Sequence, residues 1–106
     1  MAQTTTITNI RIEPGATANT RVTTTGVVKA SAGTACNLKV VAPGSAGMLT
    51  VNNAATVDGA TQGNEVLNIS AAALIPGQLV PINTSCNAGV VVSSVPSGGV
   101  YILAYA

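Results

Sequence analysis

Apolar and polar residues alternate with a period of two along most of this chain, in short runs closed by Gly, Pro, Asn or Ser. Successive side chains of a strand point to opposite faces, so this pattern predicts half-buried β-strands. Over Thr34–Val41 one face carries Cys36, Leu38 and Val40, and the other carries Asn37, Lys39 and Val41. The first set therefore faces the core. An earlier strand is predicted over Thr5–Ile12, closed by Pro14 and Gly15. Another runs from Arg21 to about Lys29, with Gly26 marking a bulge or bend. Met48–Asn52 follows the turn APGSAG, and Glu65–Ile69 follows the loop TVDGATQGNE.

A sixth strand over Gln78–Asn83 holds Pro81, which has no N–H to donate and so belongs at a sheet edge. Ala88, Val90 and Val92 mark a seventh strand, with Cys86 just before it. The last strand, Val100–Ala106, places Tyr101, Leu103 and Tyr105 on one face. The only candidate for a helical turn is SAAALIPG (70–77), and a loop or strand end suits that run equally. Eight short strands with turn signals between them predict an all-β fold, an antiparallel β-sandwich of jelly-roll-like form with little or no helix. The chain of 106 residues reads as one domain, with residues 1–20 as an N-terminal arm or edge strand.

Composition sharpens this picture. There is no Trp, Phe or His, so the core must be built from Val, Ile, Leu and Ala around two tyrosines. Charged residues are 7% of the chain, against about 25% in an ordinary domain. They are Arg11, Glu13, Arg21, Lys29, Lys39, Asp58 and Glu65, with a net charge of +1. Such a balance draws the chain to neither nucleic acid nor an acidic membrane surface. An uncharged surface of Thr, Ser, Asn, Ala and Gly suits a protein packed against neighbours, where charges would cost desolvation. It equally suits a plain polar β-surface.

The same residues argue against catalysis. Without His, no His-based nucleophile activation is available. Asp58 and Glu65 are the only acidic residues close in sequence, and they flank a loop read as solvated. No spacing suits calcium, zinc, a dinucleotide or a phosphate loop. Catalytic residues, metal and cofactor are therefore all expected to be absent. No run is long and apolar enough for a membrane span, and the N-terminus lacks signal-peptide form, which points to a cytosolic product.

Cys36 and Cys86 are too few and too far apart for a zinc ribbon. They are the candidates for a disulfide if their strands are neighbours, although a cytosolic setting favours free thiols. Tyr101 and Tyr105 either close the core or line a partner interface. The Thr-rich start, with Thr4, Thr5, Thr6 and Ile7, is a candidate interface arm that adds a strand to a neighbouring copy.

The segments GVVKASAGT with Val27, Val28, Lys29, Gly33 and Thr34, then Gly47, Leu49, Thr50 and Val51, then Asp58 and Gly59, and finally Val100, Tyr101 and Tyr105 together form a pattern. It resembles small β-sandwich virion proteins of tailed bacteriophages, of the capsid decoration (cement) or head-fibre type. The resemblance covers the chain from Arg21 onward and departs from the pattern at Cys36 and around Cys86. It implies a non-enzymatic structural protein on the outside of a phage head, assembled in the host cytoplasm. Its partner would be the major capsid protein, and it would act as a trimer or dimer without nucleic acid or membrane. The alternative it leaves is a tail, collar or fibre component acting as a binding module.

Overall fold

Runs of Val, Thr, Ile and Leu fit a pleated, half-buried surface, and such runs become the strands of this protein. The structure is a computed structural model and describes residues 16–106. Eight strands follow in order: β1 (Ala18–Val22), β2 (Gly26–Lys29), β3 (Gly33–Ala42), β4 (Met48–Asn53), β5 (Glu65–Ser70), β6 (Leu79–Cys86), β7 (Val90–Ser94) and β8 (Val100–Tyr105). Single 3-10 turns occupy Gln62–Asn64 and Ala71–Ala73. Two four-stranded antiparallel sheets result, ordered β1-β8-β3-β6 and β2-β7-β4-β5.

The pairings β1·β8, β2·β7, β3·β6 and β4·β5 describe one long antiparallel ribbon folded back on itself. Rolling that ribbon brings β8 beside β3 and β7 beside β4. This is the eight-stranded jelly roll. The core lies between the sheets. Leu38, Val40, Val80, Tyr101 and Leu103 come from one sheet, and Leu49, Val51, Val90 and Val92 from the other. Leu38, Val40 and Cys36 are all buried, as their alternation predicts.

Tyr101 is the largest fully buried side chain, taking the place of the missing Phe and Trp. Its hydroxyl donates to the Pro43 carbonyl at 2.8 Å, so the polar tip is satisfied inside. Gly99 lies against the same ring, and a Cβ there would collide with the Tyr101 side chain.

Several boundaries differ from the pattern reading. Arg21–Lys29 is not one strand. Val22 pairs with Tyr101 in the first sheet and Gly26 with Val92 in the second. The chain thus changes sheets within Thr23–Thr25, and Gly26 opens a new strand rather than bending an old one. Cys86 lies before β7 but is itself in a strand: β6 extends past Asn83 to end on it, opposite Gly33. The extra length of β6 is accommodated by a bulge, where Ala35 faces Thr84 and Asn37 faces Pro81, with Asn83 at φ 49°. Asn is among the few residues that adopt this left-handed conformation readily.

Strand β7 starts at Val90, not Ala88, because Gly89 (φ 152°) is wedged between the backbones of Lys29 and Ala54. The 70–77 run does contain a helical turn, one 3-10 turn at Ala71–Ala73 started by the Ser70 hydroxyl. The strand expected over Thr5–Ile12 lies outside the described residues.

Candidate functional site

The two outer faces of the sandwich differ. On the β2-β7-β4-β5 sheet, Val91 and Asn52 pair in register on the side away from the core, yet they are 0% and 1% exposed. Asn52 is covered by the β4–β5 connection, residues 54–64. Asn52 Nδ2 donates to the Thr61 carbonyl at 2.9 Å and to Asn64 Oδ1 at 2.8 Å. Asn52 Oδ1 accepts from the Ser93 hydroxyl at 2.6 Å. Asn64 in turn accepts from the Thr61 amide and donates to the Gly59 carbonyl. The loop predicted to be solvated is largely exposed, over 55–59 and 61–63, but a buried amide straps it onto the sheet.

The neighbouring Asn53 clamps the β6–β7 turn. Its Nδ2 donates to Asn87 Oδ1 and its Oδ1 accepts from the Ala88 amide, each at 2.9 Å. Glu65 accepts from Asn68 Nδ2 at 3.0 Å. Asp58 and Glu65 are thus a loop tip and a strand start, and neither is held against a nucleophile.

Among the described residues, no loop is strapped over the outer face of the β1-β8-β3-β6 sheet. Register aligns Arg21, Ile102, Lys39 and Leu79 in one row across all four strands. Asn19, Ala104, Asn37 and Pro81 form the next row. Arg21, Lys39 and Leu79 are exposed, Leu79 at 58%. Val41, 43% exposed, lies two residues along β3 from Lys39, at a bulge against β8. The turn entering β6 is tied to β3 at Val40 through Gly77 N–H and Gln78 C=O, and it carries Ile75, 63% exposed. Apolar groups beside two cations make this face a candidate surface for a partner.

The residues singled out from sequence fall in different places. Tyr101 was a candidate interface residue; it is wholly interior, with its hydroxyl bonded to its own chain, and has nothing to offer a partner. Tyr105 is half-buried at the end of β8, between Ala18 and Ala35. Thr4, Thr5, Thr6 and Ile7 lie outside the described residues. Cys36 and Cys86 are on neighbouring strands, the condition for pairing, and both are buried and outside any disulfide.

Register keeps the two cysteines apart. Cys86 faces Gly33, so Cys36 lies about 10 Å further along the strand. A disulfide needs Cα atoms within about 7 Å. Burial pushes the Cys86 thiol above its ordinary value, partly offset by a backbone hydrogen bond from Ala35. Burial likewise raises the Tyr101 hydroxyl.

Among the described residues no pocket is enclosed, and no three His, Cys, Asp or Glu side chains converge. No helix among them is long and apolar enough to cross a membrane. No family model, curated protein or solved structure was found to match the chain.

The sequence reading missed the bare face as a unit. Lys39 and Val41 were recognised as outward, but only the pairing of β3 with β6 and β8 sets them beside Leu79 and Ile102. The strapped loop had a signal in its Asn-rich flanks, Asn52, Asn53 and Asn64, since buried amides commonly hold irregular backbone.

Proposed function

We propose that the chain is a non-enzymatic virion structural protein, a capsid decoration protein. It sits on the outside of a phage head and stabilises the joints between major capsid subunits. The observation that carries this reading is the contrast between the two faces. One is covered in part, over Asn52, by the chain's own loop. The other is apolar in part and left uncovered by the described residues, on a chain that is only 7% charged.

A surface of this kind gains stability by contact, because few charges must be stripped of water when it is covered. A specific contact buries about 1,200–2,000 Å² in total, and area added across a joint resists its opening. The jelly roll is compatible with this role, as it is with binding roles of other kinds. Association into a trimer or dimer would let one unit span several subunits.

The test is the resistance of phage heads to heat and osmotic shock, with the gene intact and deleted. Deletion should lower the temperature at which heads release DNA, and added purified protein should restore it. Heads of equal resistance with and without the protein would overturn the cementing role.

A further inference from the structure

The bare face also carries information about its occupant. Its row Arg21–Ile102–Lys39–Leu79 holds two cations and no carboxylate. Neither cation has an ion-pair partner among the described residues. The two acidic residues of the described chain, Asp58 and Glu65, sit instead at the β4–β5 loop tip and at the start of β5, in the other sheet. Two copies packed with these faces against each other would set Arg21 and Lys39 against cations, which electrostatic complementarity disfavours.

Open strand pairing along β6 is no alternative route. Pro81 lacks an N–H, and the bulge at Asn83 twists that edge, two devices that blunt sheet edges. The face is therefore suited to side-chain docking on a foreign surface rather than to strand addition at β6 or to self-association face to face.

We infer that the outer face of the β1-β8-β3-β6 sheet is the docking surface. Its occupant is a protein surface with an apolar centre, receiving Leu79, Ile75 and Val41, and carboxylates placed to meet Arg21 and Lys39. The inference rests on the proposed function, which makes that surface part of the phage shell. Leu79 supplies the apolar anchor, and the two cations set orientation and speed of encounter. Raising the salt concentration weakens binding, since exposed charges are screened within about 8 Å at physiological ionic strength.

The experiment uses full-length protein and heads purified from a deletion strain, with bound protein measured by co-sedimentation. The double variant Arg21→Glu/Lys39→Glu and the single variant Leu79→Ser should each bind about tenfold more weakly or worse. Val27→Ser, on exposed β2 of the other sheet, should bind like the wild type. All these side chains lie on the surface, and unchanged circular dichroism melting checks that each variant is folded.

Wild-type binding together with undiminished binding by both face variants overturns the inference and leaves the proposed function standing. Wild-type protein that does not bind the heads overturns both. Wild-type protein that self-associates in solution, with face variants that are monomeric, assigns the face to a second copy and also overturns the inference.

Discussion

At the scale of single residues, one satisfied polar group inside an aliphatic core holds the geometry of a turn. The Tyr101 hydroxyl reaches Pro43 across the β3–β4 turn, tying that turn to β8. Tyr101→Phe keeps the packing and strands the carbonyl, so it should cost about 1 kcal/mol. The loss reads as a lower urea midpoint with unchanged slope. Asn83 offers a sharper contrast, because its φ of 49° is paid for by no β-branched residue. Asn83→Gly should be close to neutral, whereas Asn83→Val should destabilise by about 1–2 kcal/mol.

The buried thiol and phenol add a pH dependence. Both groups hold their protons more tightly folded than unfolded, because burial disfavours the anion. Their contribution is fully present below the ordinary values, 9.0 for the thiol and 10.0 for the phenol, and is lost as pH rises through the folded values. Stability should therefore fall on the alkaline side, and Cys86→Ala should remove the thiol's share of that fall. Melting temperature against pH is the measurement. Ellman's reagent should leave both thiols largely untouched in the native protein and titrate both in denaturant. The inward position of Cys36 was legible from the alternation of β3, but its separation from Cys86 depends on a register no single strand reveals.

At the scale of elements, β4 and β5 were among the most legible parts of the chain. Glu65–Ile69 and Met48–Asn52 match β5 and β4 to within one residue, because apolar alternation and flanking turns agree there. Arg21–Lys29 failed for a physical reason. A β-branched run such as TTT suits a strand locally, yet rolling the ribbon requires the chain to cross between sheets at that place. The eight strands expected and the eight observed are accordingly not the same eight: the expected first lies at Thr5–Ile12, and one expected strand is two.

The strapped β4–β5 connection is the element whose behaviour depends most on one side chain. Asn52→Ala removes the donors to Thr61 and Asn64 and the acceptor for Ser93. It should cost about 2–3 kcal/mol, since buried partners are left unsatisfied. It should also speed cleavage of residues 54–64 by a non-specific protease relative to the rest of the chain. Equal cleavage in Asn52→Ala and wild type would show that the loop is held by something else.

At the scale of the whole molecule, the rolled ribbon explains how so plain a sequence yields two unlike faces. Pairing β4 with β5 through a long connection places that connection over part of one sheet, while no described connection is strapped over the other sheet's outer face. The fold class was legible because strand periodicity and turn chemistry need no long-range information. The open face was not, because it is made from four strands spread between Asn19 and Ala104.

The central claim is that this open face exists to be covered by the phage shell. The most direct measurement is the amount of the protein in purified, intact particles relative to the major capsid protein, by quantitative mass spectrometry of heads separated from tails. Protein retained on the heads in fixed stoichiometry with the capsid subunit is the expected result. Its absence from heads, or its confinement to the tail fraction, would contradict the account.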